Sequence, residues 1–180
     1  MASTVSLRAI EPSDLDRIEA WLKQPDIQRW RGDPASSSAE LRLVMESPSA
    51  LCRMIEAEGI AIGYGHVADA AISREALRAA LPPETWMLDL FVADPANRGL
   101  GHGEAAIRAL VGELFATTLA LAVAVLPPVR NEAAVRAYER IGFRWLRVVV
   151  DPILGPSWLM LLDRPSNGLA LGPAPFQTSG

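Results

Sequence analysis

The sequence predicts an α/β (α+β) domain with a mixed central sheet of six to seven strands and helices on both faces of that sheet. Its 180 residues are the length of a single domain. Half of the residues are apolar and 21% are charged, which is enough to bury a sizeable core. In the middle of the chain, strand-type and helix-type periodicities alternate, and a strand-helix-strand order gives one parallel pair of strands.

The first part of the chain predicts one strand and two helices. Val5–Ile10 alternates apolar and polar residues, which is typical of a strand. Ser13 is a suitable helix N-cap, apolar residues follow it at helical spacing, and Pro25 is expected to end this helix. An irregular segment is predicted over Gln28–Pro34. The serines that precede Ala39–Glu46 favour a second short helix there.

The middle of the chain predicts three strands and an insertion. Leu51–Ala57 and Ile60–Val67 are β-type runs joined by a Glu-Gly pair, which indicates a hairpin. Ser73–Leu81 has helical spacing and stops at two prolines, so we interpret it as an insertion between strands. Trp86–Ala93 is a nearly continuous apolar run, as expected of a strand that is buried on both faces.

The remainder of the domain predicts two helices among three strands. A glycine-rich turn over Pro95–Gly103 leads into an amphipathic helix. A buried strand is predicted over Leu119–Leu126, followed by a helix over Asn131–Ile141. The last two strands are predicted over Arg144–Val150 and Trp158–Asp163.

The chain divides into a domain over residues 1–164 and an extension over residues 165–180. The extension is rich in Gly, Pro, Ser and Ala and has no periodicity, so we expect either a mobile extension or an arm that packs on another surface. Glu11 and Asp14 precede any apolar run, which does not favour a signal peptide. The apolar stretch Leu114–Val129 is too short to span a bilayer. We therefore expect a cytoplasmic protein without a membrane partner.

Composition excludes several classes of partner. There are 17 Lys and Arg residues against 21 Asp and Glu residues, and the net charge of −4 comes without a basic run. Nucleic-acid binding needs clustered positive charge, so we expect no nucleic-acid partner. The single Cys52 excludes an internal disulfide and a multi-cysteine zinc site, and two histidines leave little material for a metal centre. No metal is expected.

The segment from Arg98 to Gly103, Arg-Gly-Leu-Gly-His-Gly, carries the first functional signal. It lies between a predicted buried strand and a predicted helix. Glycines before a helix N-terminus expose backbone N–H groups and let phosphate oxygens approach closely. The spacing is neither that of the Rossmann fingerprint nor that of a Walker loop. By itself the segment fits either an anion-binding loop or a sharp strand-to-helix turn.

A second segment near the C-terminus favours the anion-binding loop over the simple turn. It runs from Asn131 to Phe143 as Asn-Glu-Ala-Ala-Val-Arg-Ala-Tyr-Glu-Arg-Ile-Gly-Phe. Together the two segments resemble motifs A and B of the GNAT superfamily of N-acetyltransferases. The first matches R/Q-x-x-G-x-G/A, and the second matches N-x-x-A-x-x-x-Y-x-x-x-G-F. The resemblance covers nearly the whole chain, since the order of strands and helices matches from Val5 to about Arg164.

The resemblance implies a GNAT fold with acetyl-coenzyme A held where the fourth and fifth strands splay apart. The pyrophosphate would lie on the backbone of Arg98–Gly103, and main-chain groups of the fourth strand and Asn131 would hold the pantetheine arm. Tyr138 would protonate the departing thiolate; a core tyrosine is the alternative. The cofactor-binding residues implied are Leu90, Phe91, Val92, Arg98, Gly99, Leu100, Gly101, His102, Gly103, Asn131, Ala134 and Tyr138.

Asp89 and Trp30 are the candidates for the acceptor side. Asp89 stands between apolar neighbours in a predicted buried strand, where a carboxylate must be paired or catalytic. It is a candidate catalytic base, an anchor for a substrate ammonium, or a structural acid bonded to an arginine or to the backbone. Trp30 follows the first helix in an arginine-rich segment and is the best candidate for lining the acceptor site.

Within the superfamily the chain looks most like the aminoglycoside 6′-N-acetyltransferase type. Two positions depart from that pattern. Arg31 replaces the second tryptophan of a Trp-Trp-Gly sequence, and Leu126 replaces an acid that precedes a proline. The chain thus gains a cation and loses a carboxylate, and both changes weaken a site for a polycation. The residues that carry the likeness are Glu19, Ala20, Trp21, Leu22, Trp30, Gly32, Gly63, Tyr64, Leu88, Asp89, Gly155 and Pro156.

The resemblance therefore implies an acyltransferase that moves an acetyl group from acetyl-CoA to a primary amine of a small cationic acceptor. The amine would attack directly in a ternary complex, with Tyr138 and Asp89 as catalytic residues. Siderophore-type hydroxylamine or lysine acetylation and N-terminal peptide acetylation are the alternative activities. A non-catalytic acyl-CoA-binding module is an alternative of another class. The apolar C-terminal strands are compatible with a homodimer.

Overall fold

The structure is a computed structural model, and it describes residues 4–73, 77 and 79–166. Seven strands form one sheet in the order β1-β2-β3-β4-β5-β7-β6. Only the β4–β5 pair is parallel, and the other pairs are antiparallel. The strands are β1 (Val5–Ala9), β2 (Ala50–Ala57), β3 (Ile60–Asp69), β4 (Thr85–Val92), β5 (Ala122–Val125), β6 (Arg144–Asp151) and β7 (Gly155–Asp163). The predicted mixed sheet is confirmed.

Helices lie on both faces of this sheet, as predicted. The helices are α1 (Asp14–Leu22), α2 (Pro25–Arg31), α3 (Pro34–Met45), α4 (Ala70–Ser73), α5 (His102–Thr117) and α6 (Glu132–Ile141), with a 3₁₀ turn over Pro95–Asn97. One apolar cluster packs α1, α2 and α3 on Tyr64 and Phe91. A second packs α5 and α6 on Val67 and Leu88, whose side chains point to the opposite face.

The prediction of an irregular segment over Gln28–Pro34 is wrong, because the two prolines begin helices. Pro25 is the first residue of α2 and Pro34 is the first residue of α3. A proline at this position loses no helical hydrogen bond, since the first N–H groups of a helix are unpaired anyway. The side chain of Asp33 caps α3 by accepting the N–H of Ser36 at 2.9 Å, so this helix begins before the predicted Ala39.

The parallel ladder between β4 and β5 is short, and this opens the sheet. It pairs Thr85 with Ala122 and ends at the pair of Met87 and Ala124, while β4 continues to Val92. The predicted splay between the fourth and fifth strands is thereby confirmed. The observed β5 is also shorter than the predicted strand over Leu119–Leu126.

The chain beyond β5 stays with β7 and so leaves β4. The carbonyl of Pro127 accepts the N–H of Trp158 at 2.9 Å, and the N–H of Val129 donates to the carbonyl of Pro156 at 3.0 Å. Neither Pro127 nor Pro128 has an N–H that could extend the ladder to β4. The Pro-Pro pair therefore helps to open a gap beside the last five residues of β4.

Two predicted segments are described only in part. Residues 74–76 and 78 of the insertion predicted over Ser73–Leu81, and the extension over 165–180 apart from Pro165 and Ser166, lie outside the described residues. Across the part of the chain that the structure describes, we find no helix that is both long and apolar enough to cross a membrane.

Candidate active site

A cavity of about 410 Å³ occupies the gap beside the C-terminal half of β4. Its walls come from β4, from the start of α5, from α6 and from α2, so it opens on both faces of the splayed sheet. Among its lining residues are Asp26, Trp30, Arg31, Glu40, His66, Asp89, Leu90, Phe91, Val92, Arg98, Gly99, Gly103, Asn131, Ala134 and Tyr138. Most of the predicted site residues are therefore together in one wall.

Three predicted cofactor residues lie beside the cavity rather than in this wall. Leu100, Gly101 and His102 belong to the loop that leads from β4 into α5. The side chain of Leu100 points to solvent and is 65% exposed. His102 is buried; its Nδ1 lies 3.2 Å from the carbonyl of Asn97, and its Nε2 has no hydrogen-bond partner among the residues described.

The glycine loop has the conformation of an anion-binding turn. Gly99 and Gly101 have φ angles of +73° and +84°, in the left-handed region that favours glycine. A Cβ built on either residue would meet nothing within 4 Å, so the space next to this backbone is open. Gly101 is the N-cap of α5, and the following N–H groups have no preceding helical carbonyl to bond. These groups are suited to hold a pyrophosphate.

The side chain of Arg98 braces this loop against β4. Its Nε donates to the carbonyl of Val92 at 3.0 Å and one terminal nitrogen donates to the carbonyl of Ala93 at 2.8 Å. The other terminal nitrogen pairs with the carboxylate of Asp26 at 3.2 Å. The guanidinium thus fixes the position of the loop, and its charge remains at the cavity wall.

Asn131 stands at the other side of the gap and caps α6. Its Oδ1 accepts the N–H of Ala134 at 3.3 Å, which satisfies one of the free donors at the start of the helix. At the far end of α6, Gly142 adopts φ +115° and is the C-terminal cap of the helix. One face of α6, with Ala134, Ala137 and Tyr138, lines the cavity.

Tyr138 lies on that face, one helical turn beyond Ala134. Its ring contacts Phe143 edge-on at 5.3 Å between centroids, and the residue lines the cavity. Burial raises the pKa of its hydroxyl well above the ordinary value, and the negative charge of Asp89 raises it further. The hydroxyl of Tyr138 therefore stays protonated near neutral pH.

Asp89 is bonded to an arginine, one of the three roles left open by the sequence. Arg31 holds it with two parallel contacts, Nη1 to Oδ1 and Nη2 to Oδ2, both 2.5 Å. The guanidinium also lies over the ring of Phe91, 5.2 Å from its centroid. Burial lowers the pKa of Arg31, but the charges of Asp89 and Glu40 outweigh it and the pKa lies above the ordinary value.

Trp30 lies in the cavity wall between two other arginines. The guanidinium of Arg29 is 4.8 Å and that of Arg130 is 5.2 Å from the indole centroid. Arg130 also donates to the carbonyl of Arg29 at 3.1 Å. These contacts hold the indole of Trp30, a residue of α2, in the cavity wall.

The sequence analysis placed Arg31 near the acceptor but gave no site role to several other polar residues of the wall, among them Glu40 and His66. Arg31, Glu40 and His66 come from α2, α3 and β3, which meet only in the folded chain. His66 lies directly opposite Asp89 in the β3–β4 register, and its Nδ1 is 3.0 Å from the hydroxyl of Tyr64. The alternation of β3 could have indicated this face, whereas nothing local distinguishes Glu40 from a solvated helix residue.

A match to a family model identifies the class of protein. Residues 11–150, most of the chain, match the model described as "Acetyltransferase (GNAT) domain". The chain therefore belongs to the GNAT acetyltransferase family, and it is an acyltransferase. The predicted family and enzyme class are confirmed.

The relatives point to one branch of this family. Over 174 residues the chain is 27% identical to aminoglycoside N(6′)-acetyltransferase type 1 of Klebsiella pneumoniae, with 89% of this chain and 84% of the relative covered. The protein of the same name from Serratia marcescens matches equally well.

Solved structures agree with these relatives. The aminoglycoside acetyltransferase AAC(6′)-Ib in complex with coenzyme A has a TM-score of 0.78 at 27% identity, covering 89% of this chain and 95% of that chain. The same enzyme with coenzyme A and kanamycin gives a TM-score of 0.77 at 27% identity, with the same coverage. The predicted GNAT fold is confirmed. Within the described residues, no group of side chains is arranged to hold a metal ion.

Proposed function

We propose that this protein transfers an acetyl group from acetyl-coenzyme A to a primary amine of a small acceptor molecule. One observation carries the proposal: the gap between β4 and β5 opens into a cavity with a glycine loop at one end and an aromatic, acid-containing wall at the other. The relatives named above are aminoglycoside acetyltransferases, one of them solved with coenzyme A.

The chain's own residues fit coenzyme A. The open space beside Gly99 and Gly101, and the N-terminal turn of α5, suit a pyrophosphate. The last five residues of β4 have no strand partner on the β5 side, so the main-chain groups of Leu90 and the N–H of Val92 are available to the pantetheine arm. The carbonyl of Val92 is bonded by Arg98, and the main chain of Phe91 pairs with β3. Asn131 and Ala134 would hold that arm from α6. The bound group supplies an acetyl thioester that the amine attacks.

The catalytic work of the protein divides among few groups. The cavity brings two reactants together, and positioning alone supplies about 7–11 kcal/mol in well-oriented systems. A main-chain N–H at the free edge of β4 can donate to the carbonyl oxygen that becomes negative. We propose that Tyr138 gives its hydroxyl proton to the leaving sulfur and regains a proton from the amine nitrogen, which loses one as the amide forms. The raised pKa of Tyr138 keeps its hydroxyl protonated before this step. Asp89, in its pair with Arg31, contributes negative charge to the acceptor wall.

A cationic acceptor suits the charges of the wall. Four carboxylates line the cavity against two guanidinium groups. The indole of Trp30 adds an aromatic surface at the mouth. The carboxylates are those of Asp26, Glu40, Asp89 and Glu104, and the guanidinium groups are those of Arg31 and Arg98. An aminoglycoside-type amine is therefore a candidate acceptor, as it is for the relatives.

The test is free-thiol release from acetyl-CoA across a panel of acceptors, with mass spectrometry of each product. The panel contains simple monoamines, polyamines, kanamycin-type aminoglycosides, N-hydroxylysine and short peptides. We expect amine-dependent thiol release matched by an acetylated product. Turnover of N-hydroxylysine or peptides alone would favour the siderophore or peptide activities. Coenzyme A binding without transfer to any acceptor would contradict the proposal and favour a non-catalytic module.

We further propose that the protein forms a homodimer through β6 and works in the cytoplasm, where its cosubstrate is made. β6 is an edge strand of the sheet, and Trp145, Val148 and Val150 on it are 52%, 47% and 78% exposed. Exposed apolar edge strands are sites of association. Sedimentation of the wild type and of Val148→Lys tests this. The wild type should sediment with the mass of a dimer and Val148→Lys with the mass of a monomer. A wild type that sediments as a monomer would contradict the proposed dimer.

A further inference from the structure

The acceptor side of the cavity already contains a positive charge in a fixed place. The guanidinium of Arg31 meets both oxygens of Asp89 at 2.5 Å. The side chain of Arg31 is only 11% exposed, whereas that of Asp89 is 37% exposed. Both residues line the cavity. Asp89 thus faces the space that an acceptor must enter, and its charge is matched from behind by Arg31.

A second carboxylate acts on the same guanidinium. Glu40 of α3 lines the cavity, and its charge helps to raise the pKa of Arg31. The ring of Phe91 lies 5.2 Å from the guanidinium carbon of Arg31. A carboxylate that pairs with a buried cation, with a second acid lining the same cavity, forms the type of site that binds an ammonium group.

The backbone around Arg31 fixes this arrangement. Arg31 is the last residue of α2, and the next residue, Gly32, adopts φ +80°. A Cβ on Gly32 would lie 2.3 Å from Cγ2 of Ile153, so α2 packs closely on the β6–β7 turn. The Nε of Arg31 is buried and has no hydrogen-bond partner among the described residues. The guanidinium is therefore held by the carboxylate of Asp89, while its Nε donor is left without a partner among the described residues.

We propose that Arg31 fills the subsite beside Asp89 that a second ammonium group of the acceptor would otherwise occupy. This proposal rests on the proposed function. The enzyme then prefers amines that carry no second ammonium group near the reacting nitrogen, and it discriminates against diamines and polyamines, the aminoglycoside type included. A second ammonium group would have to approach Arg31 as a like charge, which disfavours binding. The acceptor class is a monoamine.

The test compares pentylamine with cadaverine, which share a five-carbon chain and differ by one terminal ammonium group. For the wild type we expect kcat/KM for pentylamine to exceed that for cadaverine by about tenfold. In Arg31→Gln the ratio should move toward cadaverine by about tenfold, through a lower KM at similar kcat. Adding Asp89→Asn to Arg31→Gln should remove this gain. Arg31→Lys, which keeps the charge, should retain the wild-type preference.

Arg42→Gln is the matched control for the loss of one positive charge. Arg42 lies on α3, is 61% exposed and pairs with Glu19 away from the cavity. It should leave the pentylamine-to-cadaverine ratio unchanged. A ratio that is the same in Arg31→Gln and the wild type overturns the proposal, since a purely structural Arg31 would lower both rates equally. If Arg31→Gln does not fold, the wild type decides: a preference for cadaverine overturns the proposal and a preference for pentylamine supports it.

Calorimetric titration of cadaverine into the coenzyme A-saturated protein separates this proposal from the proposed function. If no variant acetylates any amine, the proposed function has failed. Tighter binding of cadaverine to Arg31→Gln than to the wild type still supports the subsite, and equal binding overturns it.

Discussion

At the scale of single residues, the hydroxyl of Tyr138 has the properties that the proposed chemistry needs. It lies on α6 beside the gap in the sheet, and burial raises its pKa. A tyrosine that keeps its proton cannot act as a base, but it can donate to a sulfur that becomes a thiolate. Its role is thus set by its surroundings rather than by its position in a motif alone.

Tyr138→Phe is expected to lower kcat by about 10²-fold or more, because a positioned general acid contributes a factor of that size. The dissociation constant of coenzyme A should stay within about twofold, since the variant loses only the hydroxyl. Steady-state kinetics and calorimetry measure the two quantities. Tyr64→Phe is the matched control for the loss of a buried hydroxyl, which in that case bonds His66. An unchanged kcat in Tyr138→Phe would remove it from the mechanism.

The pH dependence of turnover follows from the same shift. The acceptor amine must be neutral to attack, so kcat/KM should rise from about pH 6 to about pH 9 as more of the amine loses its proton. The raised pKa keeps Tyr138 protonated through this window, so no loss of the acid should appear in it. Initial rates across the pH range check this. A fall in kcat between about pH 8 and about pH 9 would show that an ordinary acid is used instead.

Motif spacing predicts Tyr138 and Asn131, because both lie within one helix and its cap. The partner of Asp89 could not be predicted in the same way. Arg31 is 58 positions away along the chain, and the pair exists only because α2 packs against β4. The sequence predicts that a buried Asp89 either pairs with another residue or acts in catalysis, but it does not decide between these roles.

At the scale of elements, the loop between β4 and α5 depends on two glycines with positive φ. Gly101 is the N-cap of α5, and the space around it is open. A Cβ at Gly101 would contact no neighbouring atom, but its backbone has a positive φ that residues with a Cβ rarely adopt. The loop conformation, rather than packing, is therefore what requires glycine at this position.

Gly101→Ala is expected to lower the free energy of unfolding by about 1–2 kcal/mol, the cost of a left-handed backbone for a residue with a Cβ. It should also raise KM for acetyl-CoA, because the N–H groups of the loop move. Gly112→Ala is the matched control, since Gly112 lies inside α5 with open space beside it. That change should stabilise the protein by about 0.5–1 kcal/mol. Equal effects of the two changes on KM would contradict the role of the loop.

Strands and helices with a clear apolar periodicity could be predicted from the sequence. The starts of α2 and α3, which begin at prolines, could not. The β2–β3 hairpin and α6 agree closely with their apolar patterns. Pro25 and Pro34 allow two readings, because proline ends one helix and begins the next with equal ease. Only the structure shows that α2 begins at Pro25, and α2 is the element that carries Trp30 and Arg31.

At the scale of the whole molecule, a network of charges joins the first strand to the rest of the sheet. Arg8 of β1 donates to both oxygens of Asp14, at 2.6 and 2.8 Å, and to Glu56 of β2 at 2.7 Å. Asp14 is buried at the start of α1 and also accepts the N–H of Glu11 at 2.9 Å. The network therefore ties β1, β2 and α1 together.

The free energy of unfolding should fall in acid because of Asp14. The bonds from Arg8 lower the pKa of Asp14 from 3.8 to about 2 in the folded protein. A lowered folded pKa gives stability that is present above the unfolded pKa and is lost as the pH falls from about 4 to about 2. Asp14→Asn should cost about 1–2 kcal/mol at neutral pH and flatten this loss.

Urea unfolding at about pH 6 and at about pH 3 measures the effect of Asp14. The matched control is Asp16→Asn, an exposed acid in the first turn of the same helix. We expect the control to keep the acid dependence of the wild type. If Asp14→Asn loses as much stability in acid as the wild type does, other carboxylates carry the effect.

The global topology was only partly accessible from the sequence. Alternating strands and helices predict the sheet and its parallel pair, and the motif resemblance implies the splay. The cause of the splay lies in contacts between segments far apart in the chain. Pro127 and Val129 continue along β7, and no local pattern specifies that partner.

We propose that acetyl-CoA and the amine are bound together in the gap between β4 and β5 when the acetyl group is transferred. The initial rate of coenzyme A release, with acetyl-CoA and a primary amine both varied, tests this. We expect a rate that requires both substrates, with double-reciprocal lines that intersect, because both must be bound together for direct attack. Release that is independent of the amine, or parallel lines that indicate an acetylated enzyme, would contradict it.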